Sequence, residues 1–203
     1  MKKEELRAHY SKCKQVITTK LASFKKLSPE QHFHEFLFCT LTPQSNAHRC
    51  WSAVEEIVKL HLITKQALIP ILQTRTRFHK NKASYILKNL ALWPDVQKRL
   101  QDTDRLFLRN WLAENINGYG LKEAGHFLRN IGCSDNQVAI LDRHILRNLA
   151  KLKVISPSDL RIKNKAHYLE LEKQFLSFSQ KINIPLDHLD LLFWSHETGE
   201  IFK

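Results

Sequence analysis

The chain has 203 residues, of which 43% are hydrophobic and 26% are charged. This composition is typical of a globular protein with a buried core, and it excludes a chain that is disordered throughout. The longest stretch without a charged residue, Phe36 to His48, has 13 residues, which is too short for a transmembrane helix. An acidic pair, Glu4 and Glu5, stands near the N-terminus and no long apolar run follows it, so we expect no signal peptide and an intracellular location.

The basic charge is concentrated in two regions of the chain. Lys and Arg number 32 against 20 Asp and Glu, a net charge of +12. Residues 1–30 contain 8 basic and 3 acidic side chains, and residues 61–100 contain 8 basic and 1 acidic. Such a local excess is typical of a surface that binds a polyanion, although a solvated, solubilising surface has the same composition.

The cysteines are spaced too widely for a metal site. Cys13, Cys39, Cys50 and Cys133 are separated by 26, 11 and 83 positions, which matches no zinc-finger or iron–sulfur spacing. We therefore predict reduced, partly buried thiols, and neither a metal nor another cofactor.

The apolar periodicity predicts an all-α protein. Period-2 alternation is scarce, and the 6 prolines mostly stand between apolar segments, where helices begin and end. Ser28, Pro29 and Gln31 predict a capped helix that reaches about Leu41, and Ser45 is expected to cap the next helix. In chain order, the other helical patterns cover about 5–26, 64–72, 81–92, 104–115, 121–131, 143–151, 163–181 and 186–197.

A glycine-containing turn, from Ile116 to Lys122, lies between two of these helices. Gly118 and Gly120 allow positive φ there and can turn backbone N–H groups outward at the start of a helix, where anions bind. No strand precedes the turn, so it is not a dinucleotide-binding loop. A helix C-cap at Gly118 followed by a tight turn accounts for the same residues without a function. The arrangement resembles the helix-hairpin-helix element of DNA-binding proteins, whose hairpin amides hold a DNA phosphate.

A lysine and an aspartate follow the hairpin at a characteristic distance. Lys122 comes directly after it, and Asp142 stands 20 positions later at the start of a predicted helix. This pairing is the signature of helix-hairpin-helix DNA glycosylases that also cleave the DNA strand. The segments K-E-A-G-H-F-L-R-N-I-G, from Lys122, and A-I-L-D-R-H-I-L, from Ala139, resemble the 8-oxoguanine DNA glycosylase/AP lyases of the second Ogg class, found in archaea and bacteria. The resemblance extends over most of the chain.

The resemblance implies that Lys122 is the nucleophile and Asp142 its partner. An amine that attacks C1′ of the nucleotide gives a Schiff base from which the 3′ phosphate can be eliminated. Only about one lysine in a thousand is neutral at pH 7, so the site has to lower the lysine pKa or supply a base. A carboxylate at a helix N-terminus stays ionised, and it can stabilise the sugar cation and relay the proton from the amine. A surface lysine and an ordinary helix cap are the alternative interpretation.

An enzyme that acts on a base inside a duplex has to extrude the base and fill the gap. The segment from Thr42 to Ala47 resembles the loop with which this superfamily offers Gln or Asn to the vacated position. We predict Gln44 for this role, with a solvent-exposed turn residue as the alternative.

The segment from Thr76 to Ala83 mixes an aromatic side chain with cations, so that it could meet phosphates and an exposed base together. The family has a similar segment, which implies that Phe78 is the wedge beside the lesion. Residues expected on the DNA backbone or the estranged base are Arg77, His79, Lys80 and Lys82. Phe78 as a core anchor, with a solvated run of charges around it, is the alternative.

The C-terminal end is expected to read the base. Chains of this family also end in lysine, with a tryptophan about this far upstream that faces the base pocket. The resemblance implies that Trp194 stacks on the base and that the α-carboxylate of Lys203 accepts the N7 hydrogen of 8-oxoguanine, with Asp190 as a further polar contact. By periodicity alone, core packing accounts for Trp194 equally well.

The resemblance implies a two-lobed, all-α helix-hairpin-helix DNA glycosylase fold. We expect residues 1–30 and 133–203 to form one lobe and residues 31–132 the other. The expected partner is double-stranded DNA containing 8-oxoguanine, bound by a monomer in the cytoplasm or nucleoid, without a membrane. A helix-hairpin-helix protein that binds DNA without catalysis is the main alternative. Lys122 argues against a glycosylase without lyase activity, and the cysteine spacing excludes an iron–sulfur glycosylase.

Overall fold

The computed structural model describes residues 3–203. These residues form α-helices and one short 3₁₀ helix, with no strand among them, so the predicted all-α class is confirmed. The α-helices are α1 (Lys3–Phe24), α2 (Pro29–Leu41), α3 (Ala47–Ile57), α4 (Lys65–Gln73), α5 (His79–Arg99), α6 (Arg105–Asn115), α7 (Leu121–Asn130), α8 (Arg143–Lys151), α9 (Lys165–Ile182) and α10 (Leu186–Thr198). The 3₁₀ helix, Pro157–Leu160, follows α8.

The chain divides into two compact units. The central unit is Leu27–Phe127, which contains α2 to α6 and most of α7. The terminal unit joins the N-terminal segment, up to Lys26, to Leu128–Lys203 and contains α1 and α8 to α10. The central unit thus begins and ends a few residues before the bounds expected from the sequence, residues 31 and 132.

An aromatic cluster fills the core of the central unit. The ring of Phe36, on α2, lies 5.0 Å from that of Trp93 and 5.6 Å from that of Phe127. Tyr119 joins the cluster at 5.5 Å from Phe36, and its hydroxyl donates to the Phe36 carbonyl at 2.9 Å. Aromatic pairs at such separations contribute about 0.5–1.5 kcal/mol beyond their buried area. The turn that contains Tyr119, between α6 and α7, is therefore anchored to α2.

In the terminal unit, side chains of α9 hold the backbone that leads into α8. The hydroxyl of Tyr168 donates to the carbonyl of Ala139 at 2.7 Å. The Glu172 carboxylate accepts a hydrogen bond from the Ala139 N–H, also at 2.7 Å. Because buried backbone groups outside regular structure need such partners, these two side chains fix the position from which α8 begins.

Helix ends follow the sequence signals at α2 but not at α3. Ser28 caps α2 in a capping box with Gln31, as predicted. The cap of α3 is not Ser45, as expected, but Asn46, whose side chain accepts from the Arg49 N–H at 3.0 Å. Both residue types are good caps, and Ser45 has other partners, described with the site below.

Two of the six prolines lie inside helices, which agrees with the prediction that prolines mostly, but not always, stand between helical segments. Pro70 is within α4, and Pro94 is within α5, which runs beyond the predicted end near residue 92. Pro94 is exposed, so the carbonyl of Leu90, which lacks its usual donor, can bond with water. Val96 is fully buried, and its packing stabilises the part of α5 that follows Pro94.

The cysteines form no disulfide. Cys39 and Cys50 are buried, and Cys13 and Cys133 are half-buried, which agrees with the prediction of reduced thiols. Within residues 3–203, no helix combines the length and the apolar character needed to cross a membrane.

Candidate functional site

The hairpin between α6 and α7 requires glycine at position 118. Gly118 has φ +83°, and a Cβ atom there would lie 2.7 Å from Cδ2 of Tyr85. Asn89, buried on α5, holds the same turn. Its Nδ2 donates to the Asn117 carbonyl and its Oδ1 accepts from the Asn117 N–H, both at 2.9 Å. The turn is therefore fixed on α5 by a close backbone approach and two hydrogen bonds.

Gly120 does not have the positive φ that was expected from the sequence. Its φ lies outside the left-handed region, so positive φ in this hairpin is confirmed for Gly118 alone. Gly120 directly precedes α7, and its N–H donates to Oε2 of Glu123 at 3.2 Å. A glutamate three residues past a helix start commonly accepts such a bond. The hairpin thus directs an amide towards an anionic oxygen at the N-terminus of α7.

Lys122 is the second residue of α7. Its side chain is 23% exposed, and its Nζ lies 3.4 Å from Oε1 of Glu123. Glu123 was not among the predicted site residues, although it stands next to the lysine in the sequence. Burial lowers the pKa of Lys82 and raises that of Cys50, and the charge of Lys122 acts on both as a smaller, lowering effect. The side chain is partly exposed and has a carboxylate beside its amine, as a nucleophile that must lose protons requires.

Asp142 caps α8. Its Oδ1 accepts hydrogen bonds from the backbone N–H groups of His144 and Ile145, at 2.7 and 2.8 Å. Both bonds are made to the same oxygen, so Oδ2 of the half-buried carboxylate takes no part in the cap. The N–H donors and the N-terminus of α8 place partial positive charge against this oxygen. The chemistry required of Asp142, a fixed negative charge, is available at this position.

Gln44 lies at the tip of the turn between α2 and α3. Its φ is 55°, in the left-handed region, and its side chain is exposed. Pro43 precedes it, and Thr42 is the C-cap of α2. An exposed amide on a short, conformationally restricted turn has the geometry expected of a residue offered to DNA, although a solvent-exposed turn residue has it too.

Phe78 is exposed and has a strained backbone. It precedes α5 with φ 56° and ψ 36°, and 52% of its surface is exposed. A bulky residue in this conformation is an outlier. The alternative in which Phe78 anchors the core is therefore wrong. In the first turn of α5, His79 is half-buried and Lys80 is exposed.

Lys82 does not lie on the surface, contrary to the expectation that it contacts the DNA backbone. Only 3% of it is exposed. Its Nζ donates to the carbonyls of Leu41 and Pro43, at 2.7 and 2.9 Å, and to Oγ of Ser45 at 2.8 Å. Because all three ammonium hydrogens have acceptors inside the protein, we withdraw Lys82 as a phosphate contact.

Trp194, on α10, lies against His144, which is two residues after the Asp142 cap. Its ring meets that of His144 edge to face, with centroids 5.1 Å apart. The His144 ring also lies 3.8 Å from a carboxylate oxygen of Glu197. The indole Nε1–H is buried and has no hydrogen-bond partner within the described part of the chain. A half-buried tryptophan with an unused donor suits contact with a ligand better than plain core packing does.

Asp190, one turn before Trp194, is held by a buried arginine. Its Oδ2 lies 3.1 Å from Nη2 of Arg129, and both side chains are largely buried. Sequence reasoning missed Arg129, whose only signal is its place in the segment after Lys122. Lys203 is half-buried at the end of the chain.

A model of the 8-oxoguanine DNA glycosylase family with the helix-hairpin-helix element matches residues 17–184. The chain belongs to this family. An 8-oxoguanine DNA glycosylase/AP lyase from Fusobacterium nucleatum is 39% identical over 181 residues, covering 83% of this chain and 81% of the relative. The family resemblance drawn from the sequence is thereby confirmed.

Solved structures of 8-oxoguanine DNA glycosylases have the same fold. The Thermotoga maritima enzyme superposes with a TM-score of 0.88 at 28% identity, covering 98% of this chain and 97% of that one. The Methanocaldococcus jannaschii glycosylase/lyase, in complex with a 15mer DNA containing 8-oxoguanine, gives a TM-score of 0.85 at 30% identity, with 98% of both chains covered. The helix-hairpin-helix DNA glycosylase fold is therefore confirmed for this member.

Proposed function

We propose that this chain excises 8-oxoguanine from double-stranded DNA and then cleaves the strand at the abasic site that it has made. The observation that carries the proposal is Lys122, a partly exposed lysine directly after the hairpin, whose Nζ lies 3.4 Å from the carboxylate of Glu123. Relatives in the same family are named 8-oxoguanine DNA glycosylase/AP lyase. We further propose that the enzyme acts as a monomer inside the cell, on DNA in the cytoplasm or nucleoid.

In the proposed reaction, Lys122 forms the covalent bond to the sugar. Its neutral Nζ attacks C1′, and the glycosidic bond breaks with its electron pair on the base, which takes up a proton. The C1′–O4′ bond of the sugar then breaks with its electron pair on O4′, which takes up the proton that the nitrogen has lost, and a protonated Schiff base forms. Removal of a proton from C2′ then expels the 3′ phosphate, which breaks the strand. Glu123 supports this role because its carboxylate can accept a proton from the amine at short range.

Asp142 has the negative charge and the fixed orientation that cleavage of the glycosidic bond requires. Positive charge develops on the sugar as the base leaves, and a preorganised carboxylate stabilises it. The two backbone N–H bonds to Oδ1 hold the group in one orientation. We assign Asp142 to stabilisation of the sugar cation and to proton transfer.

The proposed DNA contacts come from two sets of residues in the central unit. The hairpin residues Gly118 and Gly120 would hold a phosphate, supported by their place just before the N-terminus of α7. Phe78 would enter the stack beside the lesion and Gln44 the gap, supported by the exposure of both side chains. Side chains proposed to meet the DNA backbone or the estranged base are Arg77, His79 and Lys80.

Recognition of the damaged base is assigned to the C-terminal region. The indole of Trp194 has a stacking face and an unused N–H donor, and Asp190 supplies a carboxylate held by Arg129. Lys203 completes the proposed set. 8-Oxoguanine differs from guanine by a carbonyl at C8 and a hydrogen on N7, so an acceptor facing N7 would distinguish the two bases by about one to two decades.

Borohydride trapping tests the proposal. The wild-type protein, incubated with an 8-oxoguanine duplex and borohydride, is expected to become covalently attached to DNA as the Schiff base is reduced. The Lys122→Gln variant should lose all trapping and retain its affinity for undamaged duplex. Lys151→Gln is a matched control, because Lys151 is an exposed helical lysine paired with Glu197, and its trapping should be unchanged.

The result also separates the proposal from its main alternative. A protein that binds DNA without catalysis would bind the duplex and give no trapped product with the wild-type chain. A duplex panel with 8-oxoguanine, uracil, thymine glycol and an abasic site would show which base is released. Trapping on the abasic duplex alone would support the proposed lyase activity and contradict the proposed excision of 8-oxoguanine.

A further inference from the structure

The ammonium group of Lys82 lies inside the central unit, on the inner side of the turn that follows α2. Its three donors meet three oxygens, on Leu41, Pro43 and Ser45, at 2.7 to 2.9 Å. These acceptors are 37 to 41 positions away in the sequence. A buried ammonium is tolerated only where its hydrogens are all bonded. Lys82 therefore ties the beginning of α5 to the turn that contains Gln44.

A second bond brings the turn before α5 to the same point. Oγ of Ser45 accepts the backbone N–H of Arg77 at 3.0 Å, in addition to the bond from Lys82. The residue after Arg77 is Phe78, and the residue before Ser45 is Gln44. The backbones that carry the proposed wedge and the proposed gap-filling residue thus meet at one hydroxyl group.

Both of these residues have left-handed backbones, with φ 55° at Gln44 and 56° at Phe78. Such conformations persist in residues other than glycine only where the surroundings determine them. Both side chains are exposed, so their own packing does not hold them. The bonds made by Lys82 and Ser45 to the adjacent backbone supply the constraint instead.

We propose that Lys82 is a positioning residue for duplex opening. Its ammonium, with the Ser45 hydroxyl, fixes the Gln44 turn against the Phe78 turn, so that the two side chains enter the same base pair at a fixed spacing. Lys82 itself touches neither DNA nor the reacting atoms. The inference rests on the proposed function, because it assigns Gln44 and Phe78 to the opening of the duplex.

The first test compares Lys82→Met with the wild type on duplex and on single-stranded DNA containing 8-oxoguanine. Methionine retains the buried length of the side chain and removes all three donors. Excision from duplex under single-turnover conditions should fall at least about ten-fold, because small displacements of positioned groups are costly. Excision from the single strand, which needs no opening, should change by less than about two-fold.

Fluorescence gives a readout that a general loss of stability would not move. In a duplex with 2-aminopurine opposite an abasic analogue, the wild type should raise the fluorescence as the opposite base is unstacked, and Lys82→Met should not. Ile86→Val is the matched control. Ile86 is fully buried on the same helix, and the substitution removes one methylene group from the core, which lowers the stability of the protein without removing a hydrogen bond. Its fluorescence should equal that of the wild type.

A double-mutant cycle tests whether Lys82 acts through Gln44. If it does, Gln44→Ala should reduce duplex excision strongly in the wild-type background and by less than about two-fold in the Lys82→Met background. Where Lys82→Met fails to fold, Ser45→Ala takes its place in every arm, because it removes the acceptor shared by Lys82 and Arg77. Independent effects in the cycle, or a Lys82→Met protein with wild-type fluorescence, overturn the inference.

Failure of the proposed function gives a different pattern. A wild-type chain that releases no 8-oxoguanine from either form of DNA contradicts the proposed activity. The fluorescence arm needs no catalysis, so it still decides whether Lys82 positions the residues that open the duplex.

Discussion

The guanidinium of Arg77 lies over the ring of Phe78, with its central carbon 5.3 Å from the ring centroid. A cation in this position contributes about 0.5–1 kcal/mol at an exposed site, less than the roughly 1–3 kcal/mol that a left-handed backbone costs. The contact with Arg77 therefore stabilises the position of the exposed ring, but it is too weak to offset the strain in the Phe78 backbone. Because packing does not require this conformation, the strain favours a role for Phe78 outside the folded protein's own core.

Phe78→Ala is expected to impair excision from duplex far more than from single-stranded DNA, since a wedge matters only where a stack has to be opened. Its free energy of unfolding should stay within about 1 kcal/mol of the wild type, because the ring is exposed and loses only its contact with Arg77. Leu62→Ala is the matched control, as Leu62 is 72% exposed in the same unit. Single-turnover excision on both DNA forms measures the effect, and equal losses on the two forms would remove Phe78 from duplex opening.

Lys80→Glu is expected to flatten the salt dependence of binding to undamaged duplex. Each phosphate contact adds about 0.9 to the slope of log K against log salt, so the slope should fall by about that amount or more. Lys163→Glu makes the same charge change at an exposed position of the terminal unit and should leave the slope closer to that of the wild type. Equal slopes for the two variants would show that Lys80 makes no specific phosphate contact.

Local signals in the sequence were sufficient for most helix ends and for the hairpin. The Ser28 capping box and the Asp142 cap are each formed by residues within three positions, so the chain pattern contains them in full. The choice between Ser45 and Asn46 as the cap of α3 is different. Both are good caps, and Ser45 is taken by partners more than thirty positions away.

Lys82 shows the same limit at the candidate site. Its neighbours in the sequence are basic and polar, which predicts a surface lysine, and its three acceptors lie in another helix and turn. No periodicity or spacing in one chain reports such a tertiary contact. The family resemblance supplied Lys122 and Asp142, and the structure adds Glu123 and Arg129, whose roles depend on contacts rather than on a motif.

Gly118→Ala is expected to destabilise the protein more than Gly199→Ala. Both glycines have positive φ, +83° and +81°, so alanine is strained at either position. A Cβ at Gly118 would also lie 2.7 Å from the Tyr85 ring, whereas at Gly199 it meets nothing within 4 Å. The extra overpacking should cost about 1–3 kcal/mol, measured by urea unfolding. Similar losses for the two variants would mean that the hairpin can move away from Tyr85.

Asp142→Asn is expected to retain the fold and slow the release of the base. Asparagine also caps helices well, so its side-chain oxygen can accept from the N–H groups of His144 and Ile145. The negative charge is lost, which should slow base release by roughly 10² or more. Asp142→Ala loses the cap as well, and comparison of the two variants by thermal unfolding and single-turnover excision separates the effects. Near-normal excision by Asp142→Asn would exclude the carboxylate charge from the mechanism.

The stability contributed by Lys82 is expected to rise with pH above about pH 8. Burial lowers the pKa of this lysine from 10.5 to about 8, with smaller effects from Cys50, Arg77 and Lys122. Between these values the unfolded chain holds a proton that the folded chain has released, so raising the pH favours the folded state.

The free energy of unfolding of the wild type, minus that of Lys82→Met, should therefore increase between pH 8 and 9, by no more than about 1.4 kcal/mol. Above pH 9 the thiol of Cys50, whose pKa burial raises from 9.0 to about 11, acts in the opposite direction in both proteins, so the subtraction removes its effect. There the folded chain retains a proton that the unfolded chain has lost, and stability falls with pH. Urea unfolding in matched buffers measures the difference. A difference that is constant from pH 7 to 9 would mean that the buried ammonium retains its proton throughout, held by its three oxygen acceptors.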